Sequence, residues 1–338
     1  MKLSLDALRK PAARLAFGGG LAFALGGCSG TLDAGSDRPP SDTLPVGPEN
    51  PVVLFNDGAR DNWQGEYAVL LAQADGPPLA GLIVSTGGLW SDLDENLLRW
   101  QELITSARDS GLADLPDPIA SASAPLARPA DGSVESTVPN DSAGARAIIE
   151  MSSGFGNAEH PLVVATGGRL TDVADAYLLD PTVAERVIVV ASLGTGFTED
   201  GGVAVMGVPN GEMDAWADTI VVQKFRYVQV SAYYDQVGDV PDERLAELPN
   251  NPLGDWMRAK QPDILKIPVA SDQVAVIAMG VSGFATGFTR VSQSGWDGEL
   301  PTLEPDPNGN GWLVTESDGA AATERFWQLL SDPATYAR

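Results

Sequence analysis

The sequence predicts an α/β fold with a mostly parallel central sheet and helices on both faces, and three observations predict it. Short β-branched runs alternate with stretches of helical spacing, the order that builds a parallel sheet covered on both sides. Of the 338 residues 43% are hydrophobic and 20% charged, enough apolar side chain to bury a core and exclude disorder. Thirty-seven Gly and 25 Pro supply the turns such alternation needs.

In chain order, strands are predicted at Pro51 to Phe55, Gly81 to Ser85, Pro161 to Ala165, Arg186 to Ala191 and Tyr227 to Ser231. Their Val and Ile content suits a pleated, buried surface. Helices are predicted at Glu66 to Gln73, Asn96 to Ala107, Ala143 to Met151, Leu170 to Leu179 and Met213 to Lys224, where apolar residues recur every three or four positions. Residues 111–142, rich in Pro, Ala, Ser and Asp, and residues 284–311, rich in Gly, Asp and Pro, lack clear periodicity and are expected to be long loops. Ligands of parallel sheets sit at the carboxyl ends of the strands, which directs attention to the residues just after each one.

The N-terminus carries Lys2, Arg9, Lys10 and Arg14, then the small and apolar run Leu15 to Leu25, then Gly26-Gly27-Cys28. The apolar run is about half the ~20 residues a membrane-spanning helix needs, so a cleaved signal segment is expected over residues 1–27. Leu25-Gly26-Gly27-Cys28 resembles the lipobox of bacterial lipoproteins, which implies acylation of Cys28 and anchoring in the cell envelope. Ser29, not Asp, follows the Cys and directs the expectation to the outer membrane. Residues 28–50 then form an acylated Cys and a flexible Gly-, Ser-, Asp- and Pro-rich tether, and residues 51–338 one domain.

Twenty-one Lys plus Arg stand against 46 Asp plus Glu, a net charge of −25. The balance argues against nucleic acid as a partner, since binding a polyphosphate backbone relies on a surplus of Lys and Arg to displace counterions. Loss of residues 1–27 removes four bases and Asp6, leaving 17 bases, 45 acids and a net −28. One Cys admits no internal disulfide. No Gly-x-Ser-x-Gly, Cys nucleophile or His pair for zinc is present.

After the first predicted strand comes Asn56-Asp57-Gly58-Ala59-Arg60-Asp61-Asn62-Trp63, a short loop with several oxygen donors of the kind hard cations take. The same residues also serve as turns and helix caps. After the third clear strand comes Ala165-Thr166-Gly167-Gly168-Arg169-Leu170-Thr171-Asp172-Val173-Ala174, then Asp180-Pro181. Further on stand Pro209-Asn210-Gly211-Glu212-Met213-Asp214-Ala215-Trp216-Ala217-Asp218 and Ser271-Asp272-Gln273-Val274-Ala275.

In order and spacing, these segments resemble the inosine-uridine-preferring nucleoside hydrolase family over residues 51–280. The resemblance implies that family's α/β fold, a Ca²⁺ held by acidic residues under a ribose pocket, and an Asp that takes the proton from the water attacking the anomeric carbon. It places Asp57 as general base and metal ligand, with Asn62, Thr166 and Asp272 as further metal ligands. Asp61, Asn210, Glu212 and Asp214 fall around the sugar, and Trp216 beside them as a stacking surface, although a Trp also fills cores.

Departures accompany the match. Phe55 stands where the family's first Asp would be, Asn62 replaces an Asp, Ser271 a His, and Gly168-Arg169-Leu170-Thr171-Asp172 stands for GPLTN. A Gly-Asn pair after the second strand is not reproduced. His160, the single His, precedes a strand, at the end opposite the expected site. The expected activity is therefore Ca²⁺-dependent cleavage of an N-glycosidic bond in a nucleoside or related ribosyl compound. The alternative is a catalytically degenerate lipoprotein that binds such a sugar or nucleoside. Oligomeric state stays open.

Overall fold

The structure is a computed structural model that describes residues 44–56, 78–86, 92–112, 114–121, 123–157, 159–191, 195–197, 204–206, 213–230, 242–260, 283–297 and 300–337. Among the described residues eleven strands form a single sheet: β1 Val52–Asn56, β2 Leu79–Val84, β3 Pro118–Ala120, β4 Leu162–Thr166, β5 Val187–Ala191, β6 Thr195–Phe197, β7 Ala204–Met206, β8 Arg226–Gln229, β9 Ala285–Asp297, β10 Leu300–Pro305 and β11 Gly311–Ser317. Their spatial order is β3-β2-β1-β4-β5-β8-β11-β9-β10-β7-β6. The first seven are mutually parallel and the remaining pairings antiparallel, so the sheet is mostly parallel, with an antiparallel wing.

Alternate side chains of each parallel strand feed two separate cores, because successive Cβ atoms point to opposite faces. Val52 and Leu54 of β1, with Val163, Ala165, Ile188, Val190 and Val228, enter one core. Against that face pack α1 (Leu93–Asp109), α6 (Pro252–Lys260) and α7 (Gly319–Ser331), which contribute Trp100, Met257 and Trp327. Val53 and Phe55, with Val164, Val187 and Val189, enter the other core. There the cover is α2 (Ala143–Gly154), α3 (Thr171–Leu179) and α5 (Ala215–Lys224), and a single-turn α4 (Val183–Arg186) precedes β5. Each such buried aliphatic or aromatic side chain is worth about 1.5–3 kcal/mol, so both faces of the sheet stabilise it.

Local chemistry sets the helix starts. Asp92, Ser142, Asp214 and Asp318 each accept a hydrogen bond from the backbone N–H three residues on, satisfying one of the donors a helix leaves open.

Two expectations are corrected. Residues 284–311, expected as a loop, form the 13-residue β9 and its hairpin partner β10. Irregular register at Thr302/Leu303, which leaves Ser294 of β9 as an extra residue, breaks the period of two by which a strand is recognised. Residues 111–142 are not wholly loop, since Pro118–Ala120 adds β3 to the parallel edge beside β2. The helix expected at 66–73 lies outside the described residues. Among the described residues no helix is long and apolar enough to cross a membrane.

The chain order creates one topological switch. From β1 the sheet grows through β2 to β3 in one direction, while β4, β5 and β8 extend it in the other. Helix α1, from the first direction, and helices α3 and α5, from the second, lie on opposite faces, as crossovers of uniform hand require. The reversal falls between β1 and β4, and in open α/β sheets ligands bind in the crevice outside the carboxyl ends of the strands at such a point.

Candidate functional site

Asn56 ends β1 and Thr166 ends β4, so these two residues frame the crevice. Both are buried. The Asn56 Oδ1 accepts from Trp100 Nε1 at 3.2 Å, and its carbonyl accepts from Ser85 N–H at 2.8 Å. One residue beyond β2, the Ser85 carbonyl takes the Asn96 side-chain amide at 2.9 Å. The ends of β1 and β2 are thus fixed from the α1 side. Thr166 turns its Oγ1 back on its own loop, accepting from Gly168 N–H at 3.1 Å and lying 3.1 Å from the Gly168 carbonyl. That bond shapes the turn from β4 into α3.

Asp172, in the first turn of α3, is 1% exposed, and its Oδ1 accepts from Ser121 Oγ at 2.9 Å and Ser123 Oγ at 2.6 Å. Ser121 also accepts from Gly144 N–H at 3.1 Å. A Cβ on Gly144 would stand 2.9 Å from Asp172 Cγ, which is why glycine opens this turn of α2. One turn on, Asp175 is fully buried and accepts from three consecutive backbone N–H groups, Asn140 at 2.8 Å, Asp141 at 3.2 Å and Ser142 at 2.8 Å. Asp141 has φ +60, a left-handed conformation costing a non-glycine residue about 1–2 kcal/mol. Asp175 offsets it. Helix α3 therefore holds, through two carboxylates, the segment after β3 and the turn into α2. These border a cavity of about 310 Å³ lined by Ser123, Ala124, Asn140, Ser142 and Ala143.

Arg169 stands between β4 and α3 and is 7% exposed. Its Nη2 donates to the Ser123 carbonyl and lies 3.4 Å from Thr86 Oγ1, while its Nε is buried without a hydrogen-bond partner.

Two of the residues expected around a ligand are engaged by the protein itself. Asp214 caps α5 through Oδ1, accepting from Ala217 N–H, and its Oδ2 accepts from Thr171 Oγ1 at 2.6 Å and Leu126 N–H at 2.9 Å. Burial raises its pKa, opposed by those three hydrogen bonds and by the field of Arg169. Trp216 is 5% exposed, donates from Nε1 to Thr137 Oγ1 at 3.0 Å and carries the Arg128 guanidinium 5.2 Å over its ring. Four residues beyond Asp214, Asp218 is completely buried, and neither carboxylate oxygen has a hydrogen-bond partner. Burial, reinforced by the Asp214 charge, pushes its pKa well above the usual carboxylate range.

Of the other expected site residues, Asp57, Asp61, Asn62, Asn210, Glu212 and Asp272 lie outside the described residues, as does Cys28. Asp57 follows Asn56, the last residue of β1, directly in the chain. Among the described residues no three His, Cys, Asp or Glu side chains are arranged to hold a metal ion. Phe55, standing where the resemblance calls for an Asp, is wholly buried in the core. His160 lies half-buried before the amino end of β4, away from the crevice. Arg169, Asp175, Ser121 and Ser123 are not among the site residues expected from the sequence. A base in the turn after a strand, in a chain so poor in bases, was the available signal for Arg169.

Neither a protein-family model nor a curated protein matches the chain. Solved structures do share its architecture. An inosine-guanosine nucleoside hydrolase superposes with a TM-score of 0.59 at 17% identity, covering 82% of this chain and 98% of its own. A plant nucleoside hydrolase gives 0.58 at 16% identity, over 85% of this chain and 100% of its own. The inosine-uridine preferring nucleoside hydrolase from Bacillus anthracis gives 0.56 at 13% identity, over 83% and 99%. The fold is nucleoside hydrolase-like.

Proposed function

We propose that this chain hydrolyses the N-glycosidic bond of a nucleoside or related ribosyl compound, with Ca²⁺, at the carboxyl ends of β1 and β4. The observation that carries the reading is the switch point. β1 ends beside Thr166 of β4, where a fold of this kind binds ligands, and Asp57, Asp61 and Asn62 follow that strand in the sequence. The proposed metal donors, Asp57, Asn62, Asp272 and the Thr166 carbonyl, are all oxygen and suit a hard cation. When bound, such a cation lowers the pKa of a coordinated water and draws the carboxylates together. Asp57 accepts the proton of the attacking water, and Asp61, Asn210 and Glu212 hold the sugar hydroxyls. Negative charge under the ring stabilises the oxocarbenium-like centre that forms as the base departs. Asp214 contributes by orienting the start of α5 and the Thr171 turn, given its hydrogen bonds. The lipobox-like Leu25 to Cys28 supports anchoring of this activity in the bacterial envelope, at the outer membrane.

A second reading, ligand binding without turnover, is favoured by the burial of Phe55 where an Asp is called for and by the internal engagement of Asp214 and Trp216. One assay separates the two. Incubated with a panel of purine and pyrimidine nucleosides and Ca²⁺, the protein is expected to release free ribose, and Asp57→Ala to abolish release. No ribose from any nucleoside, alongside measurable nucleoside binding, establishes the second reading instead.

A further inference from the structure

We infer that Arg169 recognises an anionic group, a phosphate or carboxylate, on the ribosyl ligand, so that the pocket selects charged ribosyl compounds over neutral nucleosides. The inference rests on the proposed ribosyl pocket and adds a specificity to it. Arg169 starts three residues past the end of β4, yet its guanidinium reaches Thr86, two residues past the end of β2, and the carbonyl of Ser123, three past the end of β3. β1 lies between β4 and β2. The side chain therefore spans the carboxyl end of β1, across the crevice itself.

Asp214 acts on Arg169 through its field, without an ion pair. None of the ion pairs among the described residues involves Arg169. Its two hydrogen-bond contacts are to a carbonyl and a hydroxyl, and the Nε is left buried and unpartnered. Asp214, whose field interacts with that of Arg169, spends its oxygens on Thr171, Leu126 and Ala217. A cation taken out of water without a paired anion is costly, and breaking such a pair is among the larger single losses known in proteins. A guanidinium is a planar fork that carboxylates and phosphates fit bidentately, and a ligand anion supplies the missing ion-pair partner. The sequence position carries the same message: Arg169 stands where the resembling motif has an apolar Pro.

The test uses the detergent-solubilised full chain with three ligands that differ only at the 5′ position: inosine, inosine 5′-monophosphate and the 5′-carboxylic acid of inosine. Binding is titrated calorimetrically at matched ionic strength. One or both acids are expected to bind tenfold or more tighter than inosine, the size expected of a charge-assisted hydrogen bond. Tighter binding of both acids identifies charge as the feature read, and tighter binding of the monophosphate alone identifies phosphate. Arg169→Met is expected to bring all three ligands to the affinity of inosine, and Arg169→Lys to keep part of the preference. Should Arg169→Met fail to fold, the wild-type ratio and its reduction in Arg169→Lys decide. Equal affinities in the wild type, or an undiminished preference in the folded Met variant, overturn the role of Arg169 while leaving the ribosyl pocket standing. Binding of none of the three overturns both.

Discussion

Replacing Asp175 by Ala removes one carboxylate and strands three backbone donors. Asn140, Asp141 and Ser142 all donate to it, at 2.8–3.2 Å, in a turn that also holds Asp141 at φ +60. A hydrogen bond to a charged acceptor contributes about 1.5–3 kcal/mol net. The turn borders solvent at Asn140, so the lower figure applies, and three bonds come to about 4–5 kcal/mol. Removing the ion also removes the cost of holding a carboxylate away from water, which returns roughly 2 kcal/mol. The expected net loss is about 2–3 kcal/mol, a fall in melting temperature of about 3–5 °C in a protein of this size. Asp175→Asn keeps one acceptor oxygen and is expected to fall about halfway. Thermal unfolding followed by circular dichroism at pH 7 reads both. A midpoint for Asp175→Ala within 1 °C of wild type refutes the argument that this carboxylate holds the turn.

Other outcomes follow from the same geometry. Asp218 has a folded pKa above its unfolded one, so ionising it disfavours the folded state, and stability falls as pH rises from the ordinary carboxylate range through the raised value. Asp218→Asn is expected to flatten that fall; melting curves from pH 4 to 8 with parallel slopes for the two proteins contradict it. Gly144→Ala places a Cβ 2.9 Å from both Asp172 Cγ and Ser121 Oγ and is expected to destabilise by about 1–3 kcal/mol, measured by denaturant titration. If Ca²⁺ binds the native state, as proposed, millimolar Ca²⁺ raises the melting temperature and EDTA lowers it, while Asp272→Ala removes the difference. An unchanged midpoint in EDTA counts against the metal.

The parallel half of the fold was legible because buried parallel strands carry their signal in composition. Val52 to Phe55, Val163 to Ala165 and Val187 to Ala191 are unbroken apolar runs, buried on both faces. The start of the helix after Ser142 was legible, whereas the helix expected from Asn96 begins one turn earlier, at Leu93, where the Asp92 side chain caps it. β9 and β10 were not, since they form an antiparallel wing whose Gly287 and Gly295 and shifted register hide the alternation. β3, only three residues long, is a strand because β2 offers a free edge, a tertiary fact. Part of the site was likewise visible only in three dimensions. Asp172 and Asp175 read as ordinary acids early in a helix until the fold brings residues 121–123 and 140–142 onto them. Asp214 illustrates the converse: its motif position pointed to a sugar, but its oxygens face a cap, a hydroxyl and a loop N–H.

The place of the ligand is the most direct test. A crystal structure with a non-hydrolysable nucleoside analogue bound is predicted to show it at the carboxyl ends of β1 and β4, beside Asn56, Thr166 and Arg169, with Asp57 next to the anomeric carbon. An analogue bound elsewhere, such as on the antiparallel wing of β9 and β10, contradicts the assignment of this crevice as the functional site.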